Sequence, residues 1–280
     1  MTTAFYHRLD IGWKANHSLL CVGLDPNKSA LPPCLDNERE PLFVFNREII
    51  DATAASVCAY KPQIAYYAAH GAEGELEKTI HYIKDRYPNI PVILDAKRGD
   101  IGATAKMYAV EAFERYGADA VTVNPYMGGD TLEPFLDYQD KGVIILCRTS
   151  NPGSGDLQQL AANGKSIAHH VATQAAEVWN GNENIALVVG ATYPEEIGAI
   201  RGLVGDMPLL IPGIGAQGGD LQAVLENGLT AAQQGLMINV SRSVINASRG
   251  SDFAEAAGKA AMDLTAQINH IRTTLHGAAG

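Results

Sequence analysis

The amino-acid sequence predicts a (β/α)8 TIM barrel, a fold of the α/β class. Eight short apolar runs recur along the 280 residues, and none alternates with polar residues as a half-exposed strand would. Helix-forming segments separate these runs, so the chain repeats a strand and a helix eight times. An open, doubly wound sheet is the alternative, but eight regular units favour closure. No linker or low-complexity tract interrupts them, so we expect a single domain over residues 1–280.

The elements follow from local patterns of hydrophobicity and from residues that end helices. Pro88 disfavours helix in the residue before it, and Gly117 suits a left-handed helix cap. The predicted strands cover residues 19–25, 56–64, 91–97, 120–126, 142–150, 185–192, 208–215 and 235–243. The predicted helices cover residues 37–55, 72–87, 101–116, 129–140, 163–180, 193–204, 217–227 and 252–275.

Composition narrows the functional class. The formal net charge of -10 argues against binding to nucleic acid or to an anionic membrane surface. No run approaches the roughly 20 apolar residues of a membrane span, and residues 1–18 lack the apolar core of a signal peptide. The four cysteines show no CxxC or Cys/His metal spacing and are interpreted as reduced thiols. We therefore expect a cytoplasmic protein.

The stretch VILDAKRGDIGATA, residues 92–105, places four charges at the end of an apolar strand. Side chains two apart on a strand share a face, so Asp95 and Lys97 are expected to point together into the barrel mouth. Arg98 has the opposite parity and is left out of the chemistry. Two structural explanations stay open: Asp95 and Lys97 could form a satisfied ion pair, and Asp100 could cap the following helix.

Other strand ends also carry polar residues. Asp25 ends the first strand, Lys61 the second, and Thr149 and Ser150 the fifth. Active sites of this fold lie at that end of the barrel, so these side chains are candidates for the site. Lys61 taken alone could equally be a solvated lysine.

A glycine-rich loop, GIGAQGGD at 213–220, follows the seventh predicted strand. Exposed amides and a following helix N-terminus form an anion site, and phosphate commonly binds there in this fold. Arg242, at the end of the eighth strand, could clamp the same phosphate. The histidines show no metal-binding spacing, so we expect no metal catalysis.

Six motifs occur together in one order: VGLDP at 22–26, YKPQ at 60–63, DAKRGDIG at 95–102, RTSNPG at 148–153, PGIGAQGGD at 212–220 and SRSVI at 241–245. Their set resembles the orotidine 5'-phosphate decarboxylases, most of all the longer bacterial (type 2) subgroup. The resemblance implies conversion of orotidine 5'-phosphate to UMP and CO2 in pyrimidine biosynthesis, without metal or cofactor. It also implies a homodimer with shared active sites.

The resemblance assigns roles position by position. Lys61, Asp95, Lys97 and Asp100 form its charged catalytic network, in which Lys97 donates a proton and Asp100 reaches the partner subunit's site. Thr104 enters the same site as Asp100 and contacts the ribose. Asp25 accepts hydrogen bonds from the ribose hydroxyls, and Ser150 contacts the pyrimidine. The phosphate contacts fall on Gly215, Gln217, Ser241 and Arg242, and Ser241 stands where the family often has glycine. The segment 151–164 is expected to be a lid.

Two other functions remain to be weighed. A Mg²⁺-dependent sugar-phosphate decarboxylase or aldolase of the same superfamily shares the Asp-x-Lys-x-x-Asp pattern, but it carries an acid where this chain has Lys61. Lysine at that position repels a cation. A phosphate-binding barrel without catalysis would have lost the Lys/Asp set, which is present here.

Overall fold

The computed structural model describes residues 4–214 and 218–278. It contains a parallel eight-stranded barrel, as predicted, in which the strands, counted along the chain, neighbour one another in the order 2-1-8-7-6-5-4-3. Parallel bridges join Tyr60 to Val92 and Gln63 to Asp95, and these bring the two end strands together. The strands are β1 Leu20–Leu24, β2 Ala59–Pro62, β3 Ile93–Arg98, β4 Ala120–Val123, β5 Gly142–Arg148, β6 Ile185–Val189, β7 Leu209–Pro212 and β8 Leu236–Val240.

Helices alternate with the strands. Those of eight or more residues are Ala4–Ala15, Pro41–Thr53, Glu73–Arg86, Gly102–Val110, Ile167–Gln174, Pro194–Val204, Leu221–Gly228 and Phe253–Ala278. Two of them continue into the π-helical turns Glu111–Arg115 and Ala175–Trp179. Gly117 takes the predicted left-handed conformation, with φ of 67°.

Two of the predicted helices need correction. Segment 129–140 holds only the short turns Gly129–Thr131 and Glu133–Leu136, so the expected full helix is wrong. The helix expected from residue 217 begins at Leu221, because Asp220 caps it by accepting from Gln222 N at 2.9 Å and Ala223 N at 3.2 Å.

The N-terminal helix Ala4–Ala15 was not predicted. Its buried face carries Phe5, Leu9 and Trp13, and Trp13 Nε1 donates to the carbonyl of Leu236, the first residue of β8, at 2.9 Å. A Cβ on Gly12 would lie 2.8 Å from the carbonyl oxygen of Cys58, so only glycine permits this approach. The helix therefore packs against the N-terminal ends of the strands, opposite the polar mouth.

The strands are buried almost throughout, which is why their sequences are unbroken apolar runs. Apolar side chains from all eight strands belong to one core with the surrounding helices. Within the described residues no helix is both long and apolar enough to cross a membrane. The polar residues of the strands concentrate at their C-terminal ends, where the candidate site lies.

Candidate active site

A cavity of about 410 Å³ lies at the C-terminal ends of the strands. Its walls differ in chemistry: β2, β3 and β4 contribute charged or hydroxyl groups, whereas β5, β6 and β7 contribute apolar side chains. The lining residues are Lys61, Asp95, Lys97, Thr122, Leu146, Thr149, Ser150, Asn151, Val188, Leu210, Pro212 and Asn239. Its volume falls in the range of small-molecule sites.

Asp95 is the centre of the polar wall. Its Oδ2 accepts from Lys61 Nζ and from Gln63 Nε2, both at 3.0 Å. Its Oδ1 accepts from Lys97 Nζ at 2.7 Å and from Thr122 Oγ1 at 2.8 Å. Four donors thus hold one buried carboxylate in a single orientation, which is the condition for a preorganised charge.

The two buried partners stabilise each other's charge. Burial opposes ionisation of Asp95, but the charges of Lys61 and Lys97 and their hydrogen bonds bring its pKa well below the usual value. Burial likewise opposes the charge on Lys61, yet Asp95 and Asp25 raise the pKa of Lys61 above its ordinary value. Both groups are therefore ionised across the neutral range.

Lys97 is placed by an unusual backbone. Its φ is 48°, a left-handed value that is rare outside glycine, and the β3–β4 register shifts between Leu94 and Arg98. Thr122 Oγ1 fixes the shift by accepting from Ala96 N at 3.0 Å and Lys97 N at 2.9 Å. The Lys97 side chain is 46% exposed, so its ammonium meets both Asp95 and the open cavity.

Arg98, whose strand parity differs from that of Asp95 and Lys97, points away from the cavity, as predicted. Its guanidinium donates to both carboxylate oxygens of Glu111 at 3.0 Å and lies over the Tyr108 ring at 4.7 Å. Arg98 therefore fastens β3 to the following helix.

Asp25 lies close to this network. A Cβ on Gly23 would meet Asp25 Oδ2 at 3.2 Å and Ser241 Cβ at 2.9 Å, so these two residues flank one glycine. Asp25 Oδ1 is buried and has no hydrogen-bond partner among the described residues. A buried acceptor without a partner is suited to a ligand hydroxyl.

Asp100 and Thr104 are not brought to the cavity within one chain. Asp100 Oδ1 accepts from Ile101 N at 2.8 Å, and Thr104 is exposed on the helix Gly102–Val110. The suggestion that Asp100 caps this helix is wrong, since the cap residue is Ile101, which is extended and offers no side-chain acceptor.

Ser150 lines the cavity as expected, directly after β5. The expected lid segment 151–164 has internal structure: the turns Pro152–Ser154 and Gly155–Gln158, then a two-stranded pair formed by Ala161–Ala162 and Lys165–Ser166. Its first part is fixed to the barrel, because Gln158 Oε1 accepts from Thr149 N at 2.8 Å.

Of the expected phosphate loop at 213–220, the structure describes the two ends, residues 213–214 and 218–220. Gly213, with φ of 108°, accepts through its carbonyl from Gly219 N at 3.2 Å, and a Cβ on Gly219 would lie 2.6 Å from Ala191 Cβ. Gly215 and Gln217 lie outside the described residues. Arg242 is exposed at the start of the turn Arg242–Ile245, and Ser241 Oγ is buried with no described partner.

Comparison with known proteins decides the family. The model of the "Orotidine 5'-phosphate decarboxylase / HUMPS family" matches residues 18–257. The chain belongs to this family. Orotidine 5'-phosphate decarboxylase of Cupriavidus necator is 57% identical over 268 residues, covering 96% of this chain and 98% of the relative. The same-named protein of Ralstonia pickettii is 56% identical over 268 residues, covering 96% and 99%.

Solved structures of the orotidine 5'-phosphate decarboxylase family share the fold. OMP decarboxylase of Leishmania donovani superimposes with a TM-score of 0.83 at 40% identity, covering 98% of this chain and 100% of that chain. The family resemblance that the six motifs indicated is confirmed, and all six fall within the matched residues 18–257.

The family motifs left three site residues unnoticed. Gln63 stands inside YKPQ but received no role, although it donates to Asp95. Thr122, which orients both Asp95 and Lys97, stands in the apolar run 120–126, and Asn239 is a polar residue in the last strand. In each case the available signal was a polar residue within a predicted apolar strand.

Proposed function

We propose that this protein converts orotidine 5'-phosphate to UMP and CO2 in pyrimidine biosynthesis. The observation that carries the proposal is Lys97 Nζ, which lies 2.7 Å from Asp95 Oδ1 at the cavity and is also accessible from it. An ammonium held by a buried carboxylate can stabilise a developing carbanion and then protonate it. The names of the relatives support this reaction.

The reaction breaks the bond between ring carbon 6 and its carboxylate. The electron pair stays on carbon 6, CO2 leaves, and the Lys97 ammonium transfers a proton to carbon 6; water then reprotonates Lys97. The ring offers no π-system to accept that pair, so a fixed positive charge beside carbon 6 is the main source of stabilisation. Asp95 lies near the departing carboxylate, but we assign the larger effect to Lys97.

Lys61 and Asp95 hold this arrangement before substrate arrives. Their contact of 3.0 Å is buried, with only 5% of the Lys61 side chain and 9% of the Asp95 side chain exposed. Charges already ordered in a cavity need little reorganisation during the reaction, which is what makes such stabilisation effective.

The remaining contacts would position the nucleotide. Asp25 would accept from the ribose hydroxyls, and its unpartnered Oδ1 supports that role. Ser150 would bind the pyrimidine. The phosphate would contact Gly215, Gln217, Ser241 and Arg242, and binding at this remote group would contribute to the rate through loop closure.

Two copies of the chain would complete each site. Among the described residues of one chain, Asp100 forms no ion pair with Lys97 or Lys61, both of which pair with Asp95. Ile101, Thr104 and Met107 recur every three residues and are exposed, with Ile101 and Met107 each at 61%. This stripe supports a homodimer in which Asp100 and Thr104 enter the partner's site. The free cysteines support a reducing, cytoplasmic location, and the net charge argues against a nucleic-acid partner.

A metal-dependent sugar-phosphate enzyme is the competing function. Lys61 Nζ occupies Asp95 Oδ2 at 3.0 Å, so a divalent cation at that carboxylate would meet an ammonium. The test follows the loss of orotate absorbance with purified protein, in parallel with and without EDTA. We expect turnover that EDTA leaves unchanged; absence of turnover, or its loss in EDTA, would overturn the proposal.

A further inference from the structure

Arg148 is a buried cation that the proposed reaction does not use. Its side chain is 1% exposed, and it is absent from the cavity lining although it immediately precedes Thr149 and Ser150. Burying a guanidinium is unfavourable unless its donors find partners. The partners of Arg148 therefore indicate what the charge does.

A change of register directs Arg148 away from the cavity. Leu146 lines the cavity, and the β5–β6 register shifts between Leu146 and Arg148. As a result the Arg148 guanidinium stacks on the Tyr193 ring at 4.0 Å, and its Nε lies 3.5 Å from Glu196 Oε1. These two residues begin the helix that follows β6, so Arg148 ties β5 to that helix.

The other end of the guanidinium holds the segment after β5. Arg148 Nη1 donates to the Thr149 carbonyl at 3.1 Å, to Ser154 Oγ, and to Gln158 Oε1 at 3.4 Å. Gln158 then reaches back, accepting from Thr149 N at 2.8 Å and donating to Thr149 Oγ1 at 2.9 Å. These hydrogen bonds hold the two ends of the turn formed by residues 149–158 together, with Arg148 bonded to both ends.

Ser150 lies inside this closed turn. A Cβ on Gly190 would be 2.7 Å from Ser150 N, and the Ser150 carbonyl accepts from Thr192 Oγ1 at 3.3 Å. Gly190 N in turn donates to the Arg148 carbonyl at 2.7 Å. We propose that Arg148 is a positioning residue that holds Ser150 against the pyrimidine ring. This inference rests on the proposed function, in which Ser150 contacts that ring.

The inference predicts a selective defect in ring recognition. Arg148→Met removes the guanidinium donors at similar side-chain length. Calorimetric titrations would compare UMP, which carries ring and phosphate, with ribose 5-phosphate, which carries the phosphate alone. We expect UMP to bind roughly tenfold more weakly, the loss of one positioned polar contact, while ribose 5-phosphate changes less than about twofold.

Arg201 provides a matched control. Arg201 is only partly buried, but like Arg148 it donates several hydrogen bonds, here to the carbonyls of Gly228, Gly205, Met207 and Gly235. Met207 and Gly235 precede β7 and β8, so this cluster lies at the opposite end of the barrel from the cavity. Arg201→Met should lower the melting temperature and leave the ratio of the two affinities unchanged.

A double-mutant cycle tests the route through Ser150. If Arg148 acts by positioning Ser150, then Ser150→Ala should weaken UMP binding in the otherwise native protein. The same substitution should cause little further loss of UMP affinity in Arg148→Met. Equal losses for both ligands, no loss for either, or fully additive effects would overturn the inference. If Arg148→Met does not fold, Gln158→Leu breaks the link to Thr149 and takes its place.

The outcomes separate this inference from the proposed function. A native protein that does not turn over orotidine 5'-phosphate contradicts the proposed function. An active native protein whose Arg148→Met variant keeps the native ratio of affinities contradicts the role of Arg148 alone.

Discussion

Thr122 Oγ1 donates to Asp95 Oδ1 at 2.8 Å while accepting from the backbone N–H of Lys97 at 2.9 Å. One hydroxyl on β4 therefore orients the carboxylate and the backbone of the lysine that faces it. The Asp95–Lys97 pair is consequently held by a neighbouring strand as well as by its own. This relationship makes the charged pair a fixed feature of the barrel mouth.

Thr122→Val should disturb that arrangement without emptying the cavity. Loss of the hydroxyl leaves two backbone donors and one carboxylate oxygen with fewer partners, at a cost of about 1–3 kcal/mol in the free energy of unfolding. We expect kcat to fall on the order of tenfold as the pair loses its orientation. Thr53→Val is the matched control, because Thr53 is also buried and bonds to Ile49 and Tyr60 away from the site. A normal kcat in a destabilised Thr122→Val would contradict this role.

Lys97→Ala should abolish turnover while UMP binding stays largely intact. In the proposed mechanism this variant would lack both the charge beside carbon 6 and the proton donor, so we expect kcat to fall by on the order of 10⁴ or more. Steady-state decarboxylation and UMP calorimetry measure the two effects. Lys259→Ala, at an exposed lysine of the C-terminal helix, is the control. Retained activity in Lys97→Ala would remove Lys97 from the mechanism.

Asp95→Asn should leave a buried ammonium at Lys61 without its counter-charge. Breaking a buried pair on one side costs about 3–5 kcal/mol of stability at neutral pH. Because folding lowers the pKa of Asp95, its stabilising contribution is present above its unfolded pKa of about 3.9 and is lost as the pH falls further. Urea denaturation at pH 7 and near pH 3 should therefore show a difference between native and variant that narrows in acid. A difference independent of pH would contradict the ionised pair.

Much of the barrel was predictable because its strands are buried on both faces. Unbroken apolar runs such as 185–192 mark them, and polar residues at their ends mark the mouth. The N-terminal helix Ala4–Ala15 was missed although Phe5, Leu9 and Trp13 recur at helical spacing. It follows no strand, so the repeated strand–helix pattern does not predict it.

Part of the cavity lining, namely Lys61, Asp95, Lys97 and Ser150, was predictable from the sequence, but the backbone of the candidate site was not. Strand alternation correctly paired Asp95 with Lys97, yet the left-handed φ of Lys97 and the shifted β3–β4 register follow from the Thr122 contact on another strand. Asp100 was expected to start a helix, but its neighbour Ile101 remains extended and the helix begins one residue later. A contact with a neighbouring strand thus sets the backbone of Lys97, which the pattern within one strand does not predict.

Gly190→Ala should displace Ser150. The added Cβ would lie 2.7 Å from Ser150 N and 2.8 Å from its Cα, so the backbone of one strand end must shift. Overpacking of this kind costs about 1–3 kcal/mol of stability. We also expect KM to rise, because the proposed contact of Ser150 with the pyrimidine ring would be misplaced. Gly202→Ala meets no atom within 4 Å and lies in a helix, where alanine should add about 0.5–1 kcal/mol. Native kinetics in Gly190→Ala would show that Ser150 tolerates the displacement.

Mixed dimers test whether Asp100 serves the partner subunit. Lys97→Ala and Asp100→Ala chains carrying different tags would be coexpressed, and the hybrid dimer isolated by both tags. If Asp100 crosses the interface, one of the two sites in the hybrid combines both defects and the other has neither. The hybrid should then recover about half of the native activity, whereas each parent dimer stays inactive. If Asp100 acts within its own chain, each site of the hybrid keeps one defect and no activity returns. The exposed stripe of Ile101, Thr104 and Met107 beside Asp100 favours the first result.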